Sequence, residues 1–212
     1  PAAMYIPPHF AVADPAELHR IVRDHPLGML VRQEAGVLDA DHVPFEYDPT
    51  PAPERPLGTL TAHVARANGL WQRIPSGTPV MVVFRGAESF ISPSWYPSKH
   101  EQHRQVPTWN YEVVHAHGTL VVRDDERFVR GLVARLTRRH EAGEARPWKM
   151  SDSAPAFIDQ LLGLIVGIEV GVTSLVGKSK LSQNKEARDR QGAAEALAAR
   201  GRDELARRMR ES

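Results

Sequence analysis

Between Thr78 and Arg85 the chain places Val80, Met81, Val82, Val83 and Phe84 in an unbroken apolar, largely β-prone row. Such a strand has no polar face to give to water, so it must be covered on both sides, which calls for a layered sheet. Further strand-like runs accompany it at Leu27 to Arg32, Val37 to Tyr47, Leu57 to Val64, Ser89 to Ser92 and Val166 to Val176. Trp109 to Val122 reads as a strand pair or as one long bent strand. Glu34-Ala35-Gly36 and Gly86-Ala87-Glu88 read as turns. Four prolines between Asp48 and Pro56 make that segment a loop.

Helices fall outside these runs. Asp14-Pro15-Ala16-Glu17 combines an N-cap acceptor, a proline at the first helical position and a Glu three residues after the cap, predicting a helix that stops near His25-Pro26. A short helical piece is expected around Asn68 to Arg73. Asp124 to His140 puts Phe128, Leu132, Val133 and Leu136 on one face, and Ser153-Ala154-Pro155 opens a helix to about Leu162. From Glu186 onward the chain is helical but offers only Leu197, Leu205 and Met209 as a thin apolar stripe, so light packing is expected there. The fold class is mainly β with peripheral helices (α+β), a barrel-like β core. Residues 4–185 are expected to form the main domain and 186–212 a C-terminal helical appendage.

Composition closes off several functions. A hydrophobic share of 42% and a charged share of 25% are ordinary for a globular protein. With no cysteine, disulfides, Cys-ligated zinc and thiol catalysis are excluded. A formal charge of +1 gives no general attraction for DNA, although a local basic patch is compatible with it. No apolar run approaches the roughly 20 residues that span a bilayer, and the start lacks a signal-peptide layout, so the expected location is cytoplasmic. Pro1-Ala2-Ala3 reads as a cloning remnant ahead of a natural start at Met4. No dinucleotide or P-loop glycine motif follows a strand, no GxSxG elbow occurs, and no helix-turn-helix with a basic second helix is evident. Asp124-Asp125 falls at a helix start, where capping explains it.

The segment Lys178-Ser179-Lys180-Leu181-Ser182-Gln183-Asn184-Lys185 packs ammonium, hydroxyl and amide donors closely enough to serve a phosphate, whose oxygens only accept. It accompanies Met4-Tyr5-Ile6-Pro7-Pro8-His9-Phe10, Gly58 to Asn68, Ser92-Pro93-Ser94-Trp95-Tyr96, Val106-Pro107-Thr108-Trp109-Asn110-Tyr111 and Lys149-Met150-Ser151-Asp152. In this order and spacing the blocks resemble the FMN-binding negative transcriptional regulators of the PaiB type, from about Met4 to about Gly192. The resemblance implies a flavin-reductase-type FMN-binding split β-barrel that forms a homodimer, with FMN at or near the dimer interface. Two departures stand out: Gly69 follows Asn68, and Ala87 follows Gly86, where that pattern has proline. Neither removes a phosphate or ring contact.

A flavin needs cations and neutral donors for its phosphate and an apolar or aromatic wall for its ring. Candidate residues are Arg66 and Lys99 for the phosphate, each with the alternative of a solvated surface cation. Ser92, Trp95, Tyr96, Thr108, Trp109 and Asn110 gather hydroxyls, aromatics and an amide at neighbouring strand ends. The aromatics would serve equally as core, whereas a buried Asn110 needs partners. Ser182, Gln183 and Lys185 follow the last strand, and the resemblance places this block near the flavin, reaching toward a neighbouring subunit. Asn184 is better read as a turn or helix cap. His115 and His117 share a strand face, and with His63 would make a zinc-type or haem-binding set only if they converge; a polar strand surface is the alternative.

Three functions fit these residues. One is a regulator whose signal is FMN occupancy or redox state, with DNA as a partner. The alternative is an FMN-dependent oxidoreductase acting on a small substrate with NAD(P)H or oxygen, for which His63 or Tyr96 are candidate proton donors. The third is a degenerate barrel that binds no flavin and serves as an interaction module.

Overall fold

The computed structural model describes residues 4–212, so the reading of Pro1-Ala2-Ala3 lies outside the described residues. Among the described residues eight strands form one sheet: β1 (Ala11–Val12), β2 (Leu27–Glu34), β3 (Val37–Pro44), β4 (Glu46–Asp48), β5 (Thr59–Ala65), β6 (Thr78–Ile91), β7 (Thr108–Arg123) and β8 (Ile165–Lys180). Among the same residues seven α-helices accompany them: α1 (Pro15–Asp24), α2 (Leu70–Arg73), α3 (Pro97–Gln102), α4 (Glu126–His140), α5 (Pro155–Leu162), α6 (Ala187–Ala198) and α7 (Asp203–Glu211). The strands neighbour one another in the order β3-β2-β6-β7-β8-β5-β4, and β1 pairs with β8, Ala11 opposite Lys178. This is a mixed α/β fold.

Local chemistry explains several boundaries. The Asp14 carboxylate accepts from the Ala16 N–H at 2.9 Å and so caps α1, and Asp125 does the same for α4 through Phe128 N–H at 2.7 Å. Ala35 and Gly36 both take positive φ and turn β2 into β3. The expected strand from Val37 to Tyr47 is interrupted at Phe45, whose ring is buried. The expected turn at Gly86-Ala87-Glu88 does not exist, because β6 runs straight through it. Gly86 serves close approach instead: a Cβ there would sit 3.0 Å from Glu112 Cβ. β7 is one long strand, and β8 extends to Lys180, so Lys178 and Lys180 are strand residues.

Contacts within the chain divide it into two compact units, each described by itself; β6, β7 and β8 contribute residues to both. The first comprises residues 4–25, 84–114 and 176–212. Its core joins Ile91, Tyr96 and Leu181 to Ala193, Ala194, Leu197, Leu205, Ala206 and Met209. The narrow C-terminal stripe is therefore deeply buried rather than lightly packed, since small alanines let α6 and α7 approach closely. Beside this core the buried Glu112 carboxylate binds Arg20 at 2.8 Å, Arg208 at 3.2 Å and the Ser179 hydroxyl at 3.1 Å, tying α1, β8 and α7 to β7.

The second unit comprises residues 26–83 and 115–175. Here β5 pairs with β8, His63 opposite Gly167. Val129, Ile158 and Leu162 form a small core with Phe128, Val133, Met150 and Ile165 around it. Among the described residues no helix is long and apolar enough to cross a membrane.

Candidate functional site

Ten of the eleven candidate residues fall in the first unit, and there the structure draws a basic cluster together. Lys180 Nζ donates to the Thr108 hydroxyl and to the Trp109 carbonyl, the latter at 2.8 Å. Lys185 Nζ donates to Gln105 Oε1 at 2.7 Å and lies 5.5 Å from the Tyr96 ring centroid. Lys178 Nζ donates to the Tyr5 carbonyl at 3.3 Å and sits between the rings of Tyr5 and Tyr111, at 5.7 and 5.3 Å. Every one of these partners is neutral, and among the described residues no carboxylate forms an ion pair with any of the three lysines. Burial, and then the charges of Lys178 and Lys185, hold Lys180 below the usual lysine range.

An aromatic shelf adjoins this cluster. Phe90 packs edge-on against both Trp95 and Trp109, with centroids 6.5 and 6.4 Å apart. The Arg200 guanidinium covers Trp95 at 4.7 Å, while Trp109 remains 49% exposed. Uncompensated ammonium groups beside an open aromatic face are the donor set that a flavin asks for: the lysines for a phosphate and the indole for a planar ring. The residues present fit the group.

Other candidates stand behind this surface. Tyr96, Asn110 and Ser182 are buried and bonded to one another: Asn110 Nδ2 donates to Ser182 Oγ at 2.9 Å, and Tyr96 Oη lies 3.3 Å from the same oxygen. Burial pushes the Tyr96 phenol up. Asn110 Oδ1 is buried without a partner among the described residues. Gln183 is engaged with its own turn, donating to Ser179 O and accepting from Leu181 N, both at 2.7 Å. Ser92 Oγ accepts from Ser94 N at 3.2 Å, capping the turn Pro93–Trp95. Lys99 is half-buried on α3.

Arg66 belongs to the second unit and is engaged there. Its guanidinium grips Asp124 in a fork at 2.6 and 3.0 Å, and its Nε donates to Gly163 O at 2.9 Å. The Asp124 bonds raise the Arg66 pKa and depress that of Asp124. His115 and His117 have ring centroids 6.4 Å apart. Among the described residues no group of three His, Cys, Asp or Glu side chains is arranged to hold a metal ion.

Lys178 and Lys180 were read only as members of the phosphate-serving basic segment and were not singled out as individual candidates. The signal was their spacing: two apart on an extended backbone puts both ammonium groups on one face. Gln105 and Phe90 carried no comparable signal.

Residues 4–174 match the family model described as "Putative FMN-binding domain". The chain is 29% identical over 186 residues to the protease synthase and sporulation protein PAI 2 of Bacillus subtilis, covering 88% of this chain and 85% of that protein. It is 31% identical over 163 residues to an uncharacterized protein of Saccharomyces cerevisiae, covering 68% and 93%. Among solved structures, the FAD and heme binding protein from Mycobacterium smegmatis superposes with a TM-score of 0.56 at 15% identity, covering 89% of this chain and 79% of that one. That likeness is one of fold.

Proposed function

Because the chain belongs to the FMN-binding domain family and is homologous to PaiB-type regulators, we propose that it is a flavin-dependent regulator whose signal is FMN occupancy or redox state. The observation that carries this reading is the set of three lysines, Lys178, Lys180 and Lys185, partnered only by neutral groups. Lys180 and Lys185, with the Thr108 hydroxyl and Lys99, would hold the phosphate; Trp109 and Trp95 would wall the ring. Tyr96, Asn110 and Ser182 position this surface from within, and Gln183 fixes the turn that carries Lys185. Bound flavin would supply reversible electron uptake. The chain's own part is to bind and orient it and to keep water from one face of the ring.

We take the working form to be a cytoplasmic homodimer, supported by the exposed Phe90, Val106 and Trp109, which a second copy would cover. A second reading, an FMN-dependent oxidoreductase, is favoured by the formal charge of +1, which gives DNA no general attraction. The two separate in one experiment on FMN-loaded protein. A regulator shifts promoter DNA fragments with an affinity that depends on flavin state and on salt. An oxidoreductase bleaches with NADH or NADPH and turns over in air while leaving DNA unshifted, an outcome that would sink the regulatory reading.

A further inference from the structure

In the second unit the strand register lines up polar side chains on one sheet face. β5 lies between β4 and β8, with Thr61 opposite Glu46 on one side and Glu169 on the other. Thr59, two residues away on the same face, lies between Asp48 and Gly171. These two rows line a cavity of about 510 Å³ that Arg55 reaches from the proline-rich loop. An adjoining cavity of about 410 Å³ shares Arg55 and Glu169 and reaches Gly171.

The two threonines point to a ligand. Only 7% of Thr59 and 8% of Thr61 is exposed, yet neither hydroxyl has a hydrogen-bond partner among the described residues, and neither is sealed from solvent. A strand that needed only packing would be served better by valine, because a largely buried hydroxyl without a partner is costly. The charges around them are partly spent. Arg135 Nε donates to both Glu46 oxygens, at 3.0 and 2.8 Å. Arg123 Nη1 donates only to Glu169 Oε2, at 3.2 Å, and leaves Oε1 without a partner among the described residues. Asp48 accepts from the Thr50 N–H at 2.9 Å. Arg55 makes no side-chain hydrogen bond or ion pair among the described residues. It leans over the gap at Gly171, where an added Cβ would come 3.4 Å from Arg55 Cβ. The carboxylates are not arranged to share a metal ion. An open cation in one row and an open carboxylate oxygen in the next, each beside a hydroxyl, complement a molecule with opposite charges a few bonds apart. We propose that this cavity binds a small zwitterion of the α-amino acid class, its carboxylate on Arg55 and the Thr59 hydroxyl, its ammonium on Glu169 and the Thr61 hydroxyl. None of the residues proposed to hold flavin lines it.

A thermal-shift screen of the full chain against the protein amino acids, then calorimetric titration with the one that raises the midpoint most, tests it. The amine lacking its carboxylate and the acid lacking its ammonium are the controls. Saturable binding at least about tenfold tighter than either control is expected. Arg55→Gln, at an exposed position, should weaken the amino acid about tenfold and leave the amine within about twofold. Thr61→Val should weaken it severalfold while unfolding at the wild-type midpoint or above, since the hydroxyl it removes has no partner in the free protein. No saturable amino acid, controls that bind equally well, an unaffected Arg55→Gln, or full displacement by FMN would each overturn the proposal.

Discussion

Lys185 donates a hydrogen bond of 2.7 Å to the side-chain carbonyl of Gln105. The same amide donates through its nitrogen to Ser98 Oγ at 2.9 Å and to the buried Asp189 carboxylate at 3.2 Å. Asp189 is fixed in turn by the Ser98 N–H and hydroxyl, at 2.9 and 2.6 Å. A carboxylate only accepts, so it dictates which end of Gln105 faces the lysine. Asp189→Asn should therefore lower stability by about 1–3 kcal/mol and loosen Lys185. Denaturant titration and FMN titration of the variant check both effects; unchanged stability would contradict the assignment.

Ser182 has φ of 66° and a hydroxyl that serves both Asn110 and Tyr96. Ser182→Ala keeps the backbone demand and leaves the Asn110 donor without that acceptor. A loss of about 1–3 kcal/mol is expected in urea unfolding. Ser182→Gly should recover part of it, because glycine tolerates positive φ.

The sequence made the secondary structure legible where local chemistry decides it. The Asp14 and Asp125 caps and the Ala35-Gly36 turn are local events, and each was visible. Gly86 was misread because glycine serves turns and close approaches alike, and only the neighbouring strand's Glu112 tells them apart. Of the site, the basic segment and the aromatic strand ends were legible by residue type. The division of labour was not, since it depends on burial: Tyr96 and Asn110 face inward while Trp109 faces out. Arg66 carried the right chemistry for a phosphate, but nothing local revealed Asp124 as its partner.

Gly118 crosses the backbone of Gly171 so closely that a Cβ at Gly118 would meet Gly171 O at 2.1 Å. A carbonyl of a paired strand cannot swing aside as a side chain does. Gly118→Ala should cost roughly 3 kcal/mol or more, the upper end for overpacking, and lower the midpoint of thermal unfolding. A wild-type transition would show that β7 and β8 do not cross this tightly.

His63 and His115 are both held below the ordinary histidine value of 6.5, each first by burial and His115 also by His117. Between the folded values and 6.5 the unfolded chain binds more protons, so stability rises with pH across that window and falls as the solution is acidified through it. Below the folded values the loss is complete and the dependence flattens. Thermal melts from pH 7.5 down to about 5 should show this slope, and His63→Gln with His115→Gln should reduce it.

The flavin assignment is tested most directly by comparing FMN with riboflavin, which lacks the phosphate, on wild type and on Lys180→Ala/Lys185→Ala. Charge-assisted hydrogen bonds contribute about 1.5–3 kcal/mol each. Wild type should therefore prefer FMN by at least about tenfold, and the double variant should bind FMN no better than riboflavin while unfolding at the wild-type midpoint or above, since it removes the repulsion that Lys180 meets from Lys178 and Lys185. A folded double variant that retains the full preference for FMN would place the phosphate elsewhere and contradict the site.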